Sequence, residues 1–152
     1  MRNRKRGFTL IEILVVIGII AILAAVVLIA INPARQFKLA RDSQRTSNVN
    51  AILNAIGQNI AENRGQFKCG GTVTALPATA VNMANTGGFD VAPCIIPTYL
   101  SAMPFDPSAT DAHYADVTDY DSGYTIVSDT NGRTTVSAPA TEIASPVISV
   151  TR

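Results

Sequence analysis

The sequence predicts an α+β protein: a long N-terminal helix packed on a small antiparallel β-sheet domain at the C-terminus. The first observation is an uncharged, almost wholly apolar run from Ile13 to Ile31. The second is that Val49, Ile52, Leu53, Ile56 and Ile60 recur at i, i+3, i+4, i+7 and i+11, the spacing of one helical face. The third is that residues 66–152 are punctuated by Gly and Pro too often for long elements, with β-prone runs between them.

Residues 1–7 read as a short leader carrying Arg2, Arg4, Lys5 and Arg6. Residues 8–31 follow as a membrane span, since about twenty apolar residues in helix cross the hydrocarbon core of a bilayer. A secretory signal peptide also pairs a basic start with an apolar run, but this run exceeds the usual ~7–15 residues and carries Glu12 near its start. An ionised side chain inside a span costs about 2.5–3.5 kcal/mol on insertion scales, so Glu12 implies a partner or a function. After Glu12 the next basic residue is Arg35, 23 positions on and roughly 35 Å away along a helix. A charged partner must therefore come from the chain's own N-terminus or from another molecule. The leader's charge is nearly balanced by Arg35, Lys38, Arg41 and Arg45 beyond the span. The dense short leader, together with a Lys-poor, cysteine-containing C-terminal region, favours the N-terminus inside and the domain outside.

Residues 32–65 form the polar continuation. Asn32-Pro33 falls where the apolar run ends, and proline within a helical run removes a hydrogen bond, so a kink or local melting is expected there. From 34 to about 63 the helix continues with one apolar face, and Gly65 is a fitting stop. Arg35, Lys38, Arg41 and Arg45 make a basic ladder opposed only by Asp42. It has four readings: a solvated face, contact with anionic headgroups, ion pairing with neighbouring acidic domains, or nucleic-acid binding. The last lacks the interleaved aromatics that stack bases, and headgroup or intersubunit contact is favoured.

In residues 66–152, the runs 124–128 and 133–137 flank Asp129-Thr130-Asn131-Gly132, which predicts a hairpin. Residues 146–150 predict a last, edge-type strand, and 97–100 a helical turn. About 87 residues make a marginal core alone, so the sheet is expected to cover the apolar helix face. Cys69 and Cys94 are 25 positions apart. In an oxidising compartment they would close a loop worth roughly 3 kcal/mol; the alternative is two free, buried thiols. Two cysteines so spaced, with His113 as the one histidine, lack the clustering of a zinc site.

The run Gly7-Phe8-Thr9-Leu10-Ile11-Glu12 after a basic leader resembles the class III signal of type IV pilins and type II secretion pseudopilins. The resemblance covers the first ~60 residues well and the rest in general layout, and it implies the pilin fold. It further implies that a prepilin peptidase cuts between Gly7 and Phe8 and that the new amine on Phe8 is N-methylated. Removal of the leader would take the side-chain charge from +1 to −3, by subtraction of its four cations. In filaments of this family the carboxylate matching Glu12 pairs with the N-terminal amine of an adjacent subunit. Glu12 would thereby act as a register device, because pairing relieves a buried charge only at the correct axial offset. Gly18, Ala21, Ala24 and Ala25 would allow close helix approach.

The functional expectation is a structural subunit of a type IV pilus-like filament, with prepilin peptidase, related pilin subunits and inner-membrane assembly machinery as partners and membrane lipid as its surroundings before assembly. The alternatives are a type II secretion pseudopilin and a minor pilin that binds DNA for uptake. The expected location is the inner membrane, single-pass, and then an extracellular or periplasmic filament. Asp106, Asp111, Asp116, Asp119, Asp121 and Asp129 gather in a loop-rich region, and some related pseudopilins bind calcium in such loops, so Asp116, Asp119 and Asp121 are candidate calcium ligands. Their spacing does not match an EF-hand, and solvated acidic loops are the common case. His113 reads as an exposed loop residue. No Walker loop, Gly-x-Ser-x-Gly or HExxH motif occurs, so the sequence offers no catalytic machinery.

Overall fold

The computed structural model describes residues 7–152; the basic leader residues 1–6 lie outside the described part. The chain divides after Phe37 into two compact units.

The first unit contains α1, Leu10–Ile31, and the first residues of α2, Pro33–Glu62. No residue of α1 is buried. The expected interruption occurs at Asn32, which adopts the left-handed conformation at φ 46°. The helical stretch is thus two helices that meet at the expected break. Asparagine tolerates this conformation, its carbonyl accepts the Arg35 N–H at 3.0 Å, and Pro33 begins the next helix where its missing N–H is no loss. Asn32 therefore closes one helix and opens the other.

The second unit holds the rest of α2 and every strand. At the end of α2 the Gly65 N–H bonds the Ile60 carbonyl at 2.9 Å, with Arg64 left-handed at φ 59°, a Schellman closure. Two short strands follow, β1 (Lys68–Cys69) and β2 (Thr72–Val73), paired with each other. A five-stranded antiparallel sheet contains β3 (Val81–Ala84), β4 (His113–Asp116), β5 (Asp119–Ser128), β6 (Thr134–Ser137) and β7 (Ser149–Thr151). Its main path runs β3-β5-β6-β7, with β4 also paired to β5. A short helix, α3 (Ala92–Ile95), lies between β3 and β4 and runs into the turn expected near 97–100.

Strand β5 is the central element. Tyr120, Ser122, Tyr124 and Ile126 alternate inward and are all buried. Tyr120, Tyr124 and Ile126 share one core with Val49, Ile52, Leu53 and Ile56 of α2, Ile95 of α3 and Val136 of β6. The apolar face read from the helix period is therefore the face the sheet covers. The β5–β6 hairpin pairs Ser128 with Thr134 and turns through Asp129–Arg133. Gly132 at φ 79° and its N–H bond to the Asp129 carbonyl at 3.0 Å make this a longer turn than a two-residue type I′ loop. The last strand lies at the sheet edge as expected, about three residues later than the predicted run.

Cys69 and Cys94 are joined by a disulfide that ties β1 to α3. Asn59, buried on α2, stitches the same region: its Nδ2 donates to the Lys68 and Cys94 carbonyls at 2.8 and 3.0 Å, and its Oδ1 accepts the Lys68 N–H at 2.9 Å.

The basic ladder is corrected by the fold. Arg45 is fully buried. Its guanidinium makes a bidentate pair with Asp106 at 2.7 and 2.9 Å, reaches Asp42 at 2.8 Å and Glu142 at 3.2 Å, and donates to the Ser108 hydroxyl at 2.7 Å. Arg41 is bidentate to Glu142, at 2.5 and 2.7 Å. Asp42 accepts the backbone N–H groups of Glu142, Ile143 and Ala144 at 2.8–3.0 Å. Two of the four cations thus bind carboxylates of their own chain and are not available to lipid, neighbours or nucleic acid.

Burial pushes the Asp42 carboxyl up, but three backbone N–H groups and Arg45 outweigh it and hold it well below the usual range. Asp106 is likewise lowered, its desolvation overcome by Arg45 and the N–H groups of Ser108 and Ala109. Arg41, with Arg45 behind it, brings Glu142 down to about 2. Folded-state values below the unfolded ones contribute stability above about pH 4 that disappears as pH falls through the folded values. The contribution of these three carboxylates to the unfolding free energy of the C-terminal unit should therefore be level from neutral pH to about 5 and fall between roughly 4 and 2, as acid titration followed by tyrosine circular dichroism would show. Arg45→Ala should destabilise by about 3–5 kcal/mol, because it strands buried Asp106. Arg35→Ala should change stability by under about 0.5 kcal/mol in the same denaturant titration.

Candidate functional site: the N-terminal segment

The start of α1 is built by Thr9 and Glu12. Thr9 has extended backbone, φ −83° and ψ 152°, and is the helix N-cap. Its hydroxyl accepts the Glu12 N–H at 3.3 Å. In return Glu12 Oε2 accepts the Thr9 backbone N–H at 2.7 Å and the Thr9 hydroxyl at 2.8 Å. This is a reciprocal capping box, in which two donors at the helix start, otherwise unsatisfied, find partners in one another's residue. It also places a carboxylate in the first turn, where the helix dipole favours negative charge.

Glu12 thus has a partner inside its own segment, one that the search for a basic residue missed. The signal was present as Thr9-x-x-Glu12 directly before an apolar run. The partner is uncharged, and among the described residues Glu12 Oε1 accepts no hydrogen bond. The carboxylate is tethered through one oxygen and open at the other.

The remainder of α1 is an apolar cylinder, long and apolar enough to cross a membrane. Its large side chains are uncovered all round, Leu10 at 82% and Ile29 at 83% exposure. A surface of this kind is stable only in lipid or against other apolar helices. Gly18 has open space about it, so a side chain there would clash with nothing in the chain itself.

The candidate calcium ligands do not converge. Asp116 accepts from the Thr118 N–H and hydroxyl at 2.7 Å, Asp119 contacts His113 Nε2 at 3.1 Å, and Asp121 accepts from Asn82 and the Gly123 N–H at 2.9 and 2.8 Å. Among the described residues no group of three or more His, Cys, Asp or Glu side chains is arranged to hold a metal. Asp106 is taken by Arg45 and Asp129 by the hairpin turn, where it accepts the N–H groups of Asn131 and Arg133. His113 is exposed, as expected; the Asp111 carbonyl, then Asp119, raises its pKa.

Residues 2–28 match the family model of the prokaryotic N-terminal methylation motif. The start of the chain therefore carries this methylation motif, on a long apolar N-terminal helix that is followed by a second helix and a small antiparallel sheet. No curated protein and no solved structure matches the chain.

Thr9→Val keeps the shape of the side chain and removes the capping hydroxyl. It should destabilise the first turn by about 1 kcal/mol, seen as roughly fivefold faster amide exchange at Glu12 with no change near Ala25.

Proposed function

We propose that this chain is the structural subunit of a type IV pilus-like filament, cut between Gly7 and Phe8, N-methylated on Phe8 and assembled through α1. The observation that carries the proposal is the motif match over residues 2–28 on a helix with no buried residue, whose single carboxylate bonds only Thr9 among the described residues. Cleavage before Phe8 leaves the Thr9 N–H and hydroxyl intact, so the capping box survives processing. The new amine then lies four residues before Glu12 in its own chain and is also presented to neighbours. The open Oε1 is the acceptor for a neighbour's Phe8 amine, and the exposed apolar surface of α1 is the material of the filament core.

Such assembly is heterologous and does not close, so it propagates as a helix. Before assembly the span holds the subunit in the inner membrane with the leader inside. The pseudopilin reading shares every one of these steps and differs in where the filament ends. Nucleic-acid binding by the basic ladder loses support, because Arg41 and Arg45 are committed to Glu142, Asp42 and Asp106.

Mass spectrometry of the mature protein should find a methylated N-terminal Phe8; an intact leader or a different cut site would reject the proposal. Glu12→Ala should still insert and be processed, but filament yield by shearing and electron microscopy should fall by at least about tenfold, corresponding to loss of one charge-assisted contact per subunit.

A further inference from the structure

With Arg41 and Arg45 turned into the fold, the cations left exposed directly after the span are Arg35 and, next along the chain, Lys38. Neither makes an ion pair among the described residues. Phe37, two residues after Arg35 and so on the other side of α2, is 65% exposed. An aromatic ring uncovered in the polar part of the chain needs a reason, since its burial elsewhere would be worth about 1.5–3 kcal/mol.

Position along the chain supplies one. These residues lie two to five places beyond Pro33, where α2 begins directly after the end of the span, which is roughly 3–8 Å of helical rise. The interfacial layer on each side of the hydrocarbon core is about 5–8 Å thick. Aromatic rings and basic side chains are enriched in that layer, the ring at the acyl boundary and the cation reaching to phosphate. The cations follow the span within a few residues and are opposite in charge to anionic lipid.

We propose that the start of α2, through Arg35 and Phe37 with added charge from Lys38, docks on anionic phospholipid headgroups and fixes the depth of the unassembled subunit in the membrane. Phe37 sits at the acyl boundary and Arg35 binds lipid phosphate. The proposal rests on the reading of residues 8–31 as a membrane span. Assembly would have to break this contact, so the headgroup patch opposes extraction of the subunit while the filament core favours it.

The chain has no tryptophan, so an introduced one is a sole reporter. Full-length Phe37→Trp would be reconstituted in phosphatidylcholine vesicles with and without phosphatidylglycerol, using lipids brominated near the headgroup or near the bilayer centre. The expected result is a blue shift on adding phosphatidylglycerol, with stronger quenching by the shallow bromine. Arg35→Gln with Lys38→Gln should shift the docked–undocked equilibrium by about thirtyfold, and the effect should weaken as salt rises. Arg35→Lys should retain it. Ile20→Trp in the same vesicles should be quenched by the deep bromine. If Ile20→Trp is quenched while Phe37→Trp stays water-exposed or ignores phosphatidylglycerol, the headgroup proposal is overturned and the span stands. Shielding of Phe37→Trp that depends on protein concentration and not on lipid charge would assign the patch to a second copy and also overturn it. Failure of Ile20→Trp to be quenched would remove the span and, with it, the docking.

Discussion

Arg45 is a full positive charge with no access to water, and the C-terminal unit is arranged to hold it. Its five donors meet three carboxylates and a hydroxyl that arrive from α2, from the loop at 106–108 and from the segment after β6. Removing a charge from water is expensive, and only complete hydrogen bonding offsets it. The consequence is that two irregular segments, which contain little regular structure to position them, are located on α2 by one guanidinium. Asp42 extends the arrangement by accepting three successive backbone N–H groups of residues 142–144, giving a loop a substitute for a strand partner.

A different solution operates at Glu12. There the charge stands at the head of an apolar helix, and the groups that satisfy it are a backbone N–H and a hydroxyl of Thr9. These bonds lower the penalty of the carboxylate without neutralising it. Partial satisfaction suits a residue proposed to take its second partner only when another subunit arrives. The two charged sites therefore differ in kind: the Arg45 cluster is closed within the chain and serves stability, and the role proposed for Glu12 is assembly.

The disulfide and Asn59 hold the region after α2 in the same manner as Arg45 holds the region after β6. Between them lies β5, whose inward residues meet the helix face. Gly123 within that strand has φ 69°, and a Cβ there would lie 3.1 Å from those of Ala109 and Asp106. The close approach lets the 106–109 loop lie against the strand and brings Asp106 to Arg45.

Much of this was readable along the chain. The span, the break at Asn32-Pro33, the apolar face of α2, the hairpin at 124–137 and the processing signal all rest on local patterns of hydrophobicity, on backbone preferences of Asn, Pro and Gly, or on a contiguous motif. Strand β4 and the first half of β5 were not legible, because Asp119, Asp121, Ser122 and Gly123 have low strand propensity and are held by pairing with β3 and β4. The fate of the basic ladder was equally hidden. Helical spacing placed Arg41 and Arg45 on α2, but their carboxylate partners lie 61 to 101 positions away. Such pairings are decided by tertiary structure alone, since the free energy of a charge depends on which groups the fold brings within a few ångströms. The same holds for the acidic residues: their proximity in sequence suggested calcium ligands, and the fold engages Asp116, Asp119 and Asp121 in separate hydrogen bonds with Thr118, His113 and Asn82.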